Sequence, residues 1–135
     1  MCIRDSLPGY LARRRTNAEQ YLERLAKFDH VVEGRLVLPT EIESRGHTWN
    51  QFTLRVANGK RDTLQEHLAT NNISSAIYYP VPLHQQECFA HLPNFGESLP
   101  VCEKMAGEVL SIPVYPELTE EQFCHVVDTL ANAPL

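Results

Sequence analysis

The chain has 135 residues, of which 43% are hydrophobic and 21% charged, and its formal net charge is -5. This length and apolar content suffice for one domain with its own core, but not for two comfortable ones. The net acidity, with Arg13, Arg14 and Arg15 as the one basic cluster, argues against a nucleic-acid partner. No run approaches the roughly 20 apolar residues that span a bilayer, and no signal-peptide pattern opens the chain, so we expect a cytoplasmic protein without a membrane partner.

The first predicted element is a long amphipathic helix. Its apolar residues recur at intervals of three and four, with arginines and glutamates between them. They are Leu7, Tyr10, Leu11, Ala18, Tyr21, Leu22, Leu25 and Ala26. Arg14 interrupts this face, so we expect part of it to meet another domain and not the core of this one.

Two extended segments follow, at residues 36–39 and residues 48–56. In the second, one set of side chains alternates with another, as in a strand with two different faces. The first set is Trp49, Gln51, Thr53 and Arg55, and the second is Asn50, Phe52, Leu54 and Val56. Asn58 and Gly59 are predicted to end the strand as a turn.

A short helix and a strand are predicted next. The helix covers residues 62–71 and turns Leu64 and Leu68 inward, and Asn72 suits the left-handed conformation that closes a helix. Residues 75–79 are apolar, β-branched and aromatic, which predicts a strand.

The exit from that strand carries the most informative residues. Pro80 and Pro82 cannot donate to a sheet ladder, so the strand must stop and the chain leaves it stiffly. A rigid exit suits holding His84 and Gln85 in fixed positions, as the rim of a site does. An ordinary strand end with a surface histidine is an equal alternative.

The C-terminal third is predicted as two helices with an extended piece between them. After a brief helix at residues 87–91, Ser98 is expected to cap a helix that carries Val101, Met105 and Val109 on one side. Residues 111–116 are interrupted by prolines and suit only an edge strand or an extended segment.

The last helix has the clearest start in the sequence. Thr119 is predicted as its N-cap with Gln122 as the capping-box partner, and Leu118 is placed to pack on Phe123. This order of elements predicts an α+β domain in which a small, mostly antiparallel sheet is covered by helices. No glycine-rich loop precedes a helix, so a phosphate-binding loop of the P-loop or dinucleotide kind is not predicted. No G-x-S-x-G motif occurs, so a serine hydrolase is not predicted either.

The cysteines and histidines leave one metal alternative. The cysteines are Cys2, Cys88, Cys102 and Cys124. Without C-x-x-C spacing they predict reduced, mostly buried thiols. His84, Cys88 and His91 could share a helical face and hold zinc, but no fourth ligand lies at a familiar spacing.

Five short segments carry a resemblance to a known family. They are LARRR (11–15) with YL (21–22), HTWNQF (47–52), RD (61–62), IYYPVPLHQ (77–85) and LSIPVYPELT (110–119). In order and spacing they resemble the C-terminal part of the DegT/DnrJ/EryC1/StrS aminotransferases. The resemblance implies the small domain of the aspartate aminotransferase fold. It also implies an enzyme that uses pyridoxal 5'-phosphate (PLP) to move an amino group from an amino acid, expected to be glutamate, to a nucleotide-linked keto-sugar. Such enzymes serve amino-sugar, surface polysaccharide or antibiotic biosynthesis.

The resemblance also implies that the functional residues of the enzyme are divided between two domains. Residues 7–135 are expected to be the C-terminal small domain, and residues 1–6, which match nothing in the family, a non-native leader. In the family the cofactor-binding lysine lies in the N-terminal domain, which is missing here, and full-length members are expected to be homodimers. Lys27, Lys60 and Lys104 stand in polar or helix-surface contexts, so we expect no covalent PLP on this chain and no transamination by it alone.

By the same resemblance, residues 78–85 form the sugar side of the substrate cleft. His84 is the first candidate for substrate binding, because an imidazole can bond a sugar hydroxyl or a diphosphate oxygen, followed by Tyr79 and Gln85. Asn50 is a further candidate, although an amide on a strand is as easily structural. The alternative function is a free-standing, non-catalytic ligand-binding or oligomerisation module. A free module should bury or polarise the apolar face of the first helix.

Overall fold

A three-stranded antiparallel sheet organises the fold. The computed structural model describes residues 3–42 and 45–135, and its strands are β1 (Leu36–Val37), β2 (Phe52–Val56) and β3 (Val109–Ile112). β2 lies in the centre, with β1 on one side and β3 on the other. The helices are α1 (Ile3–Leu25), α2 (Asp29–Val32), α3 (Arg61–Thr70), α4 (Pro100–Glu108) and α5 (Glu120–Ala131). The predicted α+β class is therefore confirmed.

The core lies between β2 and the helices. Phe52, Leu54 and Val56 alternate with half-exposed residues along β2 and are buried, as the period-two pattern predicts. The ring of Tyr21 on α1 lies between Phe52 and Phe123, with centroids 5.1 Å and 4.4 Å away, and thereby joins α1, β2 and α5. Most of the described apolar helix residues C-terminal to Arg14 pack here, which makes the sheet and three helices one packed unit.

The long helix α1 is divided into two unlike parts. Its C-terminal part is buried through Tyr21 and Leu25, whereas Leu7, Tyr10 and Leu11 are 50%, 38% and 36% exposed. The division matches the prediction that part of this face does not contact the core of the domain. Among the described residues, no helix has both the length and the apolar character needed to cross a membrane.

Two local predictions about helix ends are confirmed. Asn72, after α3, has a φ of 60°, the left-handed conformation that closes a helix, and Leu64 and Leu68 are buried. At α5 the Gln122 N–H donates to Thr119 Oγ1 over 3.2 Å, and the Thr119 N–H donates to Gln122 Oε1 over 3.0 Å. Both arms of the predicted capping box are present.

The predicted strand at residues 75–79 is wrong in extent. Only Ala76 pairs with β3, through two hydrogen bonds with Ser111 of 3.0 Å and 2.8 Å. Longer pairing is prevented because β3 is short: it begins directly after α4, and Pro113, which has no N–H, follows it. Residues 78–85 consequently leave the sheet almost at once.

Other boundaries also differ from the sequence expectation. Residues 48–51 are not part of a strand, because Trp49 has a φ of 49°, which a strand cannot continue. Ser98 is not the N-cap of α4; Leu99 is. Val109 opens β3 instead of continuing the helix.

Two further expectations need correction. The helix predicted at residues 87–91 is only a 3-10 turn at Glu87–Phe89, preceded by another at Leu83–Gln85. Cys88 and Cys102 are free but exposed, so the expectation of mostly buried thiols is wrong, because the loop and helix face that carry them do not reach the core. Cys2 lies outside the described residues.

Candidate functional site

Residues 78–85 form a wall shared by three clefts. The Arg14 cleft, of 310 Å³, lies beside α1 and the end of β3, and Tyr78 lines it. The Met105 cleft, of 280 Å³, is lined by Tyr78, Tyr79 and Leu83 together with α4. The Phe95 cleft, of 260 Å³, is lined by Leu83 and His84. Tyr78 and Leu83 are thus each common to two clefts, so the three clefts adjoin along this segment, and we call them together the furrow.

Arg14 shapes the first cleft and was missed as a site residue by the sequence analysis. Its Nη1 donates to the carbonyl oxygens of Trp49 and Asn50 over 3.3 Å and 2.9 Å and lies 3.5 Å from Asn50 Oδ1. These bonds fasten the loop before β2 to α1. The interruption of an apolar helix face by arginine was the one signal in the sequence, and it did not reveal which groups the guanidinium meets.

Asn50 and Tyr79 lie at two neighbouring clefts of the furrow. Asn50 is exposed at the Arg14 cleft, where its carbonyl is already bonded to Arg14. Tyr79 is 68% exposed at the Met105 cleft, and its ring meets that of Tyr78 edge-on, at 80° with centroids 5.9 Å apart. Neither side chain is buried in the domain, so both can reach a ligand or a neighbouring domain.

His84 is the most constrained of the predicted site residues. Its side chain is 13% exposed, and Nε2 lies 3.1 Å from Glu103 Oε1 on α4. The Leu99 N–H donates to the same oxygen over 2.7 Å. The bond from Leu99, and secondly the bond from His84, hold the pKa of Glu103 below its ordinary value. Glu103 is a residue that sequence reasoning missed, because nothing in its local pattern distinguishes it from other surface glutamates.

Gln85 closes the 3-10 turn and is exposed. Its N–H donates to the carbonyl of Pro82 over 2.9 Å, so the turn after the second proline is the feature that orients it. The structure therefore places Asn50, Tyr79 and His84 in three successive clefts and does not gather them around one cavity. The arrangement suits an elongated ligand better than a compact one.

The residues named in the zinc alternative do not form a metal site. Nε2 of His84 is paired with Glu103, and Cys88 Sγ lies 3.9 Å from Gln86 Oε1. Within residues 3–42 and 45–135, no three histidine, cysteine or acidic side chains are grouped closely enough to hold an ion. The zinc alternative has no support from the geometry.

Comparison with known proteins identifies the family. The family model for DegT/DnrJ/EryC1/StrS aminotransferases matches residues 5–131. The chain belongs to this family. Over 126 residues it is 40% identical to a pleiotropic regulatory protein of Geobacillus stearothermophilus, covering 93% of this chain and 32% of that protein. It is 38% identical over 124 residues to a UDP-N-acetyl-3-dehydro-alpha-D-glucosamine 3-aminotransferase of Acidithiobacillus ferrooxidans, covering 92% and 31%.

The fold is that of solved family members. The chain superposes on Streptomyces venezuelae DesV, solved in complex with a ketimine intermediate, with a TM-score of 0.83 and 31% identity, over 94% of this chain and 32% of that one. The small-domain fold implied by the resemblance is confirmed. The chain spans about a third of the length of the relatives that it matches.

The lysines of this chain are the side chains that could form an imine with PLP. A related Bacillus subtilis structure, 27% identical with a TM-score of 0.77 over 90% of this chain and 27% of that one, holds the pyridoxamine form of the cofactor. Here Lys60 and Lys104 are exposed, and Lys27, also exposed, lies 3.9 Å from Glu23 on the surface of α1. None of the lysines lines the three clefts.

Proposed function

We propose that this chain is the C-terminal domain of a PLP-dependent aminotransferase that aminates a nucleotide-linked keto-sugar. Membership of the family supports the reaction class, and the relative named for a UDP-linked dehydro-sugar supports the substrate class. Glutamate is the donor that we propose, in amino-sugar, surface polysaccharide or antibiotic biosynthesis. The cytoplasm is the compartment that we propose, in agreement with the free thiols of Cys88 and Cys102.

The shared wall of residues 78–85 is the observation that carries this proposal. A nucleotide-sugar is elongated, and the furrow carries different polar and aromatic side chains along its length. One end has the amide of Asn50, the middle has the ring of Tyr79, and the other end has the imidazole of His84. We propose that His84, Tyr79, Gln85 and Asn50 form the sugar side of the cleft.

The rest of the active site is proposed to come from a larger N-terminal domain. PLP, when bound there, supplies the imine chemistry that moves the amino group. Residues 7–135 would then be the small domain, and the full-length enzyme a homodimer. The exposed apolar part of α1 supports this division, because Leu7, Tyr10 and Leu11 stay exposed and are not part of the described core. The same exposure weighs against the free-standing module, which should have polarised or buried that face.

Reconstitution tests the proposal. This chain can be joined to the N-terminal domain of the Acidithiobacillus ferrooxidans relative and assayed with glutamate and UDP-N-acetyl-3-dehydro-glucosamine. We expect amino transfer by the chimera and none by either part alone. A chimera that folds and binds PLP but aminates neither UDP-linked nor dTDP-linked keto-sugars would contradict the proposal.

A further inference from the structure

Glu103 joins the two ends of the loop that runs from residue 84 to residue 99. Its Oε1 accepts hydrogen bonds from the Leu99 N–H, over 2.7 Å, and from His84 Nε2, over 3.1 Å. Between these points the Gly96 N–H donates to the carbonyl of His84 over 3.0 Å. One carboxylate at the start of α4 therefore fixes both ends of the loop and the ring of His84.

The same contact determines which ring nitrogen of His84 carries a proton. An ionised carboxylate only accepts hydrogen bonds, so the nitrogen that faces it must be the donor. The Leu99 N–H, and then His84, lower the pKa of Glu103, which is therefore ionised at neutral pH. Nε2 is consequently the protonated nitrogen, and in the neutral ring the lone pair is on Nδ1.

We propose that Glu103 is a positioning residue that holds the His84 imidazole with its proton on Nε2 and presents Nδ1 to the substrate as a hydrogen-bond acceptor. The identity of the ligand rests on the proposed function. A lone pair on Nδ1 accepts a bond from a hydroxyl, whereas a diphosphate oxygen has no proton to offer. Of the two groups that an imidazole could bind, the geometry therefore selects a sugar hydroxyl. His84 would then discriminate between keto-sugars by whether they carry a hydroxyl at this position.

The tautomer can be measured on the 135-residue chain without cofactor or substrate. Long-range proton–nitrogen NMR correlations distinguish the two neutral tautomers and the cation, and His84 is assigned by the signals lost in His84→Ala. At pH 7.5 we expect wild-type His84 to show a protonated Nε2 and an unprotonated Nδ1. A protonated Nδ1, whether from the other tautomer or from the cation, would overturn the proposal.

Three variants test the role of Glu103. Glu103→Ala should let His84 relax to the mixed tautomers of a free imidazole. Glu103→Gln should keep the wild-type pattern, because its amide oxygen can still accept from Leu99 and His84. Glu97→Gln removes a charge from the same loop at an exposed position and should change nothing. An unchanged pattern in folded Glu103→Ala, or in folded Glu103→Ser if the alanine variant does not fold, would refute the role of Glu103, because neither side chain can reach the ring of His84.

These outcomes are separable from the proposed function. If the reconstituted enzyme aminates no keto-sugar while the chain shows the expected tautomer, the proposed function fails and the pairing of Glu103 with His84 stands. If the enzyme is active, Glu103→Ala should raise KM for the keto-sugar several-fold, Glu103→Gln should restore it, and KM for glutamate should not change. Equal changes in both KM values would count against a positioning role.

Discussion

At the scale of single residues, substitution of His84 is the most direct test of the proposed substrate site. In the reconstituted enzyme, His84→Ala should lower kcat/KM for the keto-sugar roughly ten- to a hundredfold, the loss expected of one hydrogen bond worth about 1.5–3 kcal/mol. The half-reaction with the amino donor should barely change, since we expect a small donor not to reach the proposed sugar side of the cleft. Separate kinetics for the two half-reactions provide the measurement.

The matched control for His84 lies in the same loop. His91 is exposed, and His91→Ala should leave both half-reactions unchanged. His84→Ala also removes a partner of Glu103, so its unfolding free energy must be measured alongside. A loss of several kcal/mol in stability with normal kcat/KM for the sugar in the folded fraction would make His84 a structural residue.

Some of the candidate site residues could be proposed from the sequence and others could not. His84 and Gln85 follow two prolines, and that local chemistry indicated a stiff exit from the sheet. Glu103 and Arg14 act at a distance: one meets a histidine 19 residues away, and the other meets a carbonyl 36 residues away. Side-chain contacts of that separation depend on the tertiary fold and leave no periodic pattern in the chain.

At the scale of elements, the capping box should stabilise α5 measurably. Thr119→Ala removes the side-chain oxygen that accepts from the Gln122 N–H and should cost about 1 kcal/mol of unfolding free energy. Urea denaturation of the chain measures the loss. Thr40→Ala, at an exposed position outside any helix, is the control and should change stability much less. Equal losses in the two variants would show that the capping contact contributes nothing of its own.

Glu103, near the start of α4, should make the unfolding free energy of the chain depend on pH. The folded-state pKa of Glu103 lies below its ordinary value of 4.5, so the unfolded chain binds more protons between the two values. The contribution of Glu103 is therefore fully present above about pH 4.5 and is lost as the pH falls through the folded pKa.

Glu103→Gln isolates that contribution because it keeps an acceptor and removes the charge. The difference in unfolding free energy between wild type and Glu103→Gln should be present at neutral pH and should shrink below about pH 4.5. Urea denaturation at several pH values measures it. A difference that does not depend on pH would show that Glu103 titrates alike in the folded and unfolded states.

Elements with a strong period were predicted well, and those set by their neighbours were not. β2, α3 and α5 each combine an apolar period with a turn or cap, and the structure contains all three, although β2 begins at Phe52 and not at residue 48. The strand expected at residues 75–79 has suitable residues but only a short partner, since β3 is confined between α4 and Pro113. Pairing depends on two segments, so the composition of one of them could not determine its extent.

At the scale of the whole molecule, the exposed part of α1 should make the isolated chain self-associate. Leu7, Tyr10 and Leu11 would gain about 25 cal/mol for each Å² of apolar surface that they bury. Sedimentation velocity at increasing concentration should show oligomers, and Leu11→Glu with Tyr10→Glu should reduce them. Val32→Glu, at another exposed apolar position, is the control. A monodisperse wild-type monomer at high concentration would favour the free-standing module.

The chain alone should bind no PLP at a specific lysine. After incubation with PLP and borohydride reduction, mass analysis should show only scattered, substoichiometric labelling, because Lys27, Lys60 and Lys104 are exposed. Acetylated chain, in which the amines are blocked, gives the background. A single stoichiometric adduct at any of the three would overturn the assignment of the cofactor to another domain.

The position of Arg14 on α1 has a mechanical consequence. From Leu11 to Leu25 the helix is a rod about 21 Å long. Its C-terminal end is buried in the core through Tyr21 and Leu25, and its N-terminal end carries exposed apolar residues. Arg14 lies between the two ends and donates hydrogen bonds to the carbonyl oxygens of Trp49 and Asn50. Because α1 carries both the exposed apolar residues and the arginine that bonds the loop at the Arg14 cleft, we expect a partner that binds the exposed end of α1 to change the shape of that cleft as well.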